Sequence, residues 1–274
     1  MAVNEITKYD KELNSIPLGH LNSVEMNLFF SIITKMRDKG TEVVRFDFNQ
    51  LQELSDFHGN SRKRFIENIL KLYKKMLALN FGITSENGLV HEQFIMFSEF
   101  KINAEEPIPY VDIEIYKKAV PLLNELSTWV RFSLKEFNQL TSVYAKTLFR
   151  LFKQFRTTGK VILTVEKFNE LLSVPKSYKQ NNINSKILNP AMAQLEKYFD
   201  NLTVKKEYSK TRGRPLKSYT FTFKPEAKNS DDFKKKEGFE KSHKEVSTDW
   251  STHTLKNKSK ESDEDVSKML EELG

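Results

Sequence analysis

Residues 140–159 read "LTSVYAKTLFRLFKQFRTTG", and residues 21–40 read "LNSVEMNLFFSIITKMRDKG". Leu, Ser, Val, Phe, Arg and Gly coincide at a constant offset of 119 residues, and most other apolar positions stay apolar. Both stretches carry helical periodicity, through Val24, Leu28, Ile32 and Met36 in one and Val143, Leu148, Leu151 and Phe155 in the other. Each has a Ser near its start, suited to capping the first turn, and a Gly just past its end.

The similarity continues outward. "VVRFDF" (43–48) and "VILTV" (161–165) are β-branched, alternating strands, and each runs into a short helix. There Phe48, Leu51 and Leu54 answer Val165, Phe168 and Leu171. Polar turns follow, then a longer helix in each half, about 61–79 and 182–199. Strand-like segments close both halves, "FGITS" with "QFIMFSEF" and "LTVKKEY" with "KSYTFTF". One amphipathic helix matches another by chance easily; the whole order of helix, strand, helix, turn, helix and hairpin does not. That order is the winged-helix variant of helix-turn-helix. The expected fold is therefore α+β, two tandem winged helices related by internal duplication. The boundaries read as an N-terminal arm at 1–17, a first winged helix at 18–100, a linker at 101–127, a second winged helix at 128–224, and a disordered charged tail at 225–274.

Charge separates the two units. Residues 131–224 hold 19 Lys+Arg against 6 Asp+Glu, whereas 1–130 hold 15 against 18 and 225–274 hold 10 against 13. One segment thus carries the whole positive excess of a chain whose net charge is +7, and a polyanion is its natural partner. The alternative is a lysine-rich solvated face. The chain has no Cys, no apolar run of membrane-spanning length and no secretion signal at its start, so a cytoplasmic protein without disulfides or membrane contact is expected.

Candidate DNA-binding residues cluster in the basic unit. Its third helix is expected to bury Ile183, Ile187, Ala191, Leu195 and Tyr198 or Phe199, and to present Asn182, Asn184, Ser185, Lys186 and Asn189. Lys176, Ser177, Tyr178, Lys179, Gln180 and Asn181 lead into it. Asn and Gln pair bidentately with adenine and Lys reaches guanine or phosphate, and base contacts concentrate at the start of a recognition helix. Pro190 either kinks this helix or starts a fresh one capped by Asn189. The hairpin after it carries "SKTRGRPLKSY" (209–219), which places Lys210, Arg212, Gly213, Arg214 and Lys217 at a wing tip suited to a narrow A·T minor groove. In the first unit Arg62, Lys63 and Arg64 open a helix, where cations oppose the helix dipole unless an anion is near. They are read either as phosphate contacts or as part of a solvated face.

Three local features, "LTSVYAKTLFRLFKQF", "SKILNPAMAQLEKY" (185–198) and the Gly-Arg of the wing, together with the duplicated order, resemble the Rep initiators of iteron-bearing plasmids. The resemblance covers about 15–224. It implies binding of direct repeats at a plasmid origin, opening of adjacent A·T-rich DNA and recruitment of the host replication initiator and helicase machinery. It also implies that Lys179, Asn182, Asn184, Ser185, Lys186 and the wing arginines make most sequence-specific contacts. The first unit would mediate dimerisation or phosphate contact, with dimers repressing the initiator's own gene and monomers acting at the origin. A dimeric winged-helix repressor shares all these DNA-binding features.

No catalysis, cofactor or metal is expected. The histidines His20, His58, His91, His243 and His253 are far apart, "HEQFI" (91–95) lacks a second zinc-ligand histidine, and Gly82 and Gly88 do not form a phosphate loop. Asp112 and Glu114, alternating with Val111, Ile113 and Ile115, read as the wet side of a strand. The acidic amphipathic end "DEDVSKMLEELG" reads as a frayed helix or a docking segment for a host factor.

Overall fold

The structure, a computed structural model, describes residues 5–57, 61–77, 81–84, 89, 91–124 and 129–227. In the first unit α1 (Ser23–Met36) leads to β2 (Val44–Asp47), α2 (Phe48–Leu54) and α3 (Arg62–Leu77). A short hairpin of β3 (Phe81–Thr84) with β4 (His91–Phe94) follows, and then β5 (Phe97–Asn103) and β6 (Tyr110–Ile115). In the second unit α5 (Val143–Gln154) leads to β8 (Lys160–Thr164) and α6 (Val165–Leu171). Then come α7 (Gln180–Ile183), a π-helical turn (Asn184–Leu188), α8 (Asn189–Leu195), β9 (Thr203–Tyr208) and β10 (Leu216–Thr222). The sheets have the same antiparallel order, β2-β6-β5 and β8-β10-β9, with the strand after the first helix beside the last strand of the wing.

This topology corrects the reading of 101–127 as a linker. The wing of the first unit is β5–β6, not the hairpin made from "FGITS", because β6 pairs with both β2 and β5. Asp112, expected on the wet side of that strand, is buried. Both its oxygens accept from Arg45, at 2.7 and 2.8 Å. The Arg45 hydrogen bonds hold the Asp112 carboxyl below the usual carboxylate range, against the opposing effect of burial. The Arg45 guanidinium also lies 3.6 Å from the Tyr110 ring, so a cation covers the strand start.

Helix ends follow local chemistry. Asn22, not the neighbouring Ser23, caps α1: its side chain accepts from Glu25 N–H, and the Glu25 carboxylate accepts from Asn22 N–H. Lys75 of α3 also donates to that carboxylate at 2.6 Å, which ties the first and third helices together. Ser142 caps α5 as expected. Both helices end before a left-handed glycine, Gly40 at φ +59° and Gly159 at φ +64°. Gly159 has a second constraint, because a Cβ there would meet the Phe223 carbonyl oxygen at 2.4 Å. Beyond the boundary read at 224, Glu226 still belongs to this unit. Its carboxylate accepts from Lys153 and Arg156, which hold it in the charged form although burial works the other way.

The two units share one apolar core. Phe30 of α1 lies 4.8 Å from Phe137 of α4 (Leu134–Gln139), and Phe137 lies 6.2 Å from Phe149 of α5. The N-terminal arm is built into this seam. There β1 (Ile6–Tyr9) pairs antiparallel with β7 (Val130–Ser133), and Asn14 donates to the Arg150 carbonyl and to Gln154. Asn27 and Lys146 occupy equivalent positions of the two repeats and meet here. The fully buried Lys146 ammonium donates to Asn27 Oδ1 at 2.7 Å and to the Phe137 carbonyl at 2.6 Å.

Burial lowers the Lys146 pKa to about 7. A lysine with a lowered folded pKa binds fewer protons folded than unfolded between that value and the ordinary one, so its contribution to stability rises with pH across that window. The unfolding free energy of wild type relative to Lys146→Met is therefore expected to grow between pH 7 and pH 10 in urea titrations. A difference that stays flat across this range contradicts the assignment.

Candidate nucleic-acid interface

The third helix of the second unit is continuous from Gln180 to Leu195, through α7, the π turn and α8. Ile183, Ile187, Ala191, Leu195 and Phe199 are buried as expected, and Leu188 and Met192 join them. Tyr198 is half-buried and donates to Gln139. Pro190 neither breaks the helix nor starts another; the chain absorbs it in the wide turn just before it. Asn189 N–H donates to Asn184 O, five residues back.

Along the outer surface Asn181, Ser185, Lys186 and Asn189 are exposed, as are Lys176, Ser177 and Lys179 in the approach. Asn182 and Tyr178 are half-buried, and the Lys186 ammonium sits 5.0 Å from the Tyr178 ring. Asn184 differs from its neighbours. Its Oδ1 accepts from Lys206 of β9 at 2.6 Å and from Gln180 at 3.2 Å, so its amide oxygen is engaged within the protein. A second tie joins helix to sheet, since Gln180 Nε2 donates to the Tyr219 hydroxyl at 2.9 Å. Tyr219 is wholly buried, its ring tilted against Phe168 with centroids 4.3 Å apart, and burial pushes its pKa up. The helix start and the wing sheet thus form one hydrogen-bonded platform.

Lys206 is a residue that sequence reasoning misses. The signal is present: on β9, Val204, Lys206 and Tyr208 share one face by strand alternation, and a lysine beside an inward valine needs an acceptor.

The wing is an ordered turn. Arg214 N–H donates to Thr211 O at 3.0 Å, and Ser209 N–H donates to Pro215 O at 2.8 Å, closing the loop. Gly213 has φ +84° at the third position of the four-residue turn, where a positive φ favours glycine. Open space surrounds its Cα, so backbone conformation alone calls for glycine there. Arg214 itself adopts φ +42°, uncommon for a side-chain-bearing residue. Lys217 is the extra residue of a β-bulge between Leu216 and Ser218, a device that re-aims a side chain. Lys210, Arg212, Arg214 and Lys217 are all exposed.

The first unit presents a different surface. Arg62, Lys63 and Arg64 are exposed at the start of α3, and Arg62 lines a groove with Phe48, Gln52 and Pro107–Pro109 of the β5–β6 turn. That turn carries exposed Glu105 and Glu106 where the second wing carries arginines. Among the described residues no group of three or more His, Cys, Asp or Glu side chains is placed to hold a metal ion. His58, His243, His253 and the tail from 228 onward lie outside the described residues.

The tie through Tyr219 makes a measurable contribution. Tyr219→Phe keeps the ring and removes the hydroxyl, so it is expected to lower the unfolding free energy by about 1 kcal/mol. It should also speed amide exchange at 180–183. Unchanged stability and exchange contradict the role given to this bond.

Comparison with known proteins agrees with this architecture. The family model described as "Initiator Replication protein, WH1" matches residues 6–153, and "Initiator Rep protein, WH2" matches 164–223. The chain is 29% identical over 224 residues to "Probable replication protein rep" of Bifidobacterium longum (strain NCC 2705), covering 80% of this chain and 73% of that one. Its fold is similar to that of the Pi initiator protein solved in complex with iteron DNA. That similarity has a TM-score of 0.60 at 15% identity and covers 80% of this chain and 97% of the other. With most of its length matched by the two models in tandem, the chain belongs to the initiator Rep family of paired winged-helix proteins.

Proposed function

We propose that this protein is a plasmid replication initiator that binds direct repeats at its origin through the recognition helix and wing of its second unit. One observation carries the reading. The start of the recognition helix is hydrogen-bonded to the sheet that bears the arginine wing, in the segment holding the whole positive excess of the chain. Such a platform supports placing the helix in the major groove and the wing on the adjacent minor groove or backbone. Family membership supports this reading, as does a structural relative solved on iteron DNA. The family is a DNA-binding one and not an enzyme family.

Within this reading the candidate contacts are Lys176, Ser177, Tyr178, Lys179, Asn181, Asn182, Ser185, Lys186 and Asn189, with Lys210, Arg212, Arg214 and Lys217 on the wing. Asn184 acts through Lys206 as a positioning residue. Arg62, Lys63 and Arg64 add phosphate contacts from the first unit. Dimerisation through the first unit, repression of its own gene by the dimer and recruitment of the host replication initiator and helicase machinery belong to the same proposal. So does a cytoplasmic location; no helix among the described residues is long and apolar enough to cross a membrane.

Arg212→Ala and Arg214→Ala test the wing. Each is expected to weaken repeat binding and to flatten the plot of log affinity against log salt by about one unit for each phosphate left without its arginine. A double variant that binds as tightly as wild type at every salt concentration contradicts the proposal.

A further inference from the structure

The π turn in the recognition helix has a cause in the sequence and a consequence for reading DNA. Ile183, Ile187, Leu188, Ala191, Met192 and Leu195 are all buried, at spacings of i, i+4, i+5, i+8, i+9 and i+12. A straight α-helix through them would put Ile183 about 110° from the centre of the stripe formed by the other five. One extra residue in the turn takes out about 100° of that offset and returns Ile183 to the core. Pro190 sits where it helps: lacking an N–H, it cannot offer Lys186 O the donor that an α-helical register would supply.

The outer face changes with the inner one. In an α-helix, residues four apart wind by about 40° per step, so a row of them drifts around the axis. With the extra residue the exposed side chains of Asn181, Ser185 and Asn189 line up along the axis, beside the row of Asn182 and Lys186. Ser185 Oγ donates to Asn181 O, four residues back, at 2.9 Å. Asn184, the first polar residue between Ile183 and Ile187, turns aside to Lys206, which anchors the wide turn to the wing strand.

We propose that this wide turn, held open by Pro190 and anchored through Asn184 to Lys206, sets the register between the base-reading side chains and the groove. The π turn then determines which repeat the protein prefers. The inference rests on the DNA-binding reading above.

Deleting Ser185 tests it. The deletion leaves the six buried residues at i, i+3, i+4, i+7, i+8 and i+11, the stripe of a regular α-helix, so the fold is expected to persist. Ser185→Ala measures the effect of removing the side chain alone. Affinities are read for the duplex that the wild type protects in the DNA flanking its gene, and for the same duplex scrambled. One misplaced bidentate base pairing costs about tenfold in discrimination, so the ratio of the two affinities should fall about tenfold or more beyond Ser185→Ala. A deletion variant that folds and discriminates as Ser185→Ala does overturns the inference while leaving the functional reading intact. A wild type with no preference for any segment overturns both. Should the deletion variant fail to fold, Pro190→Ala decides at unchanged chain length. Reduced discrimination supports the inference, and wild-type discrimination at wild-type stability overturns it.

Discussion

A lysine ammonium with no exposed surface needs acceptors from its own protein, and this requirement sets how the two repeats meet. Lys146 finds Asn27 Oδ1 on the first helix of one unit and the Phe137 carbonyl at the end of α4 in the other. Asn27 in turn donates to the Ser55 carbonyl at the end of α2. Removing either acceptor would leave a buried polar group short of a hydrogen bond, which is destabilising. The same seam buries Arg150, whose guanidinium lies 5.1 Å from the Phe30 ring, and Tyr9, whose hydroxyl donates to Asn14 Oδ1. Polar groups therefore fix the orientation of an otherwise permissive phenylalanine interface. The N-terminal strand closes it from one side through β1–β7 pairing.

On this fixed frame the two units diverge in charge while keeping one topology. The second wing ends in Arg-Gly-Arg on a hydrogen-bonded turn, and the first ends in "EEPIP" (105–109). Equivalent places in the fold thus carry opposite charges. In the proposed reading this divides labour: the basic wing and helix engage the repeat, and the acidic wing of the first unit stays off the phosphates. The division needs no change of backbone, only of the residues at the tip of a hairpin.

The duplication, the order of elements and the wing arginines are legible in the sequence because they depend on local patterns. Helical periodicity, β-branched alternation and turn residues are each set by near neighbours. Three features are not legible. The first wing falls on the wrong strands because "FGITS" and "QFIMFSEF" alternate as a wing would, and only the pairing of β6 with the distant β2 separates the two hairpins. Asp112 reads as wet because alternation gives a face but not what covers it; Arg45 and Tyr110 do so here. The bond of the Asn184 amide oxygen to Lys206 is not foreseen because that lysine lies on a strand that sequence spacing does not connect to the helix. In each case the deciding contact is long-range, and its residue types are ordinary.

Footprinting the pure protein on the DNA flanking its own gene tests the account most directly. A frame that holds both winged helices as one body, with base reading concentrated in the second, predicts protected direct repeats in one orientation, spaced by whole helical turns. A single protected palindrome, or no protection distinguishable from that on random duplex, would contradict it.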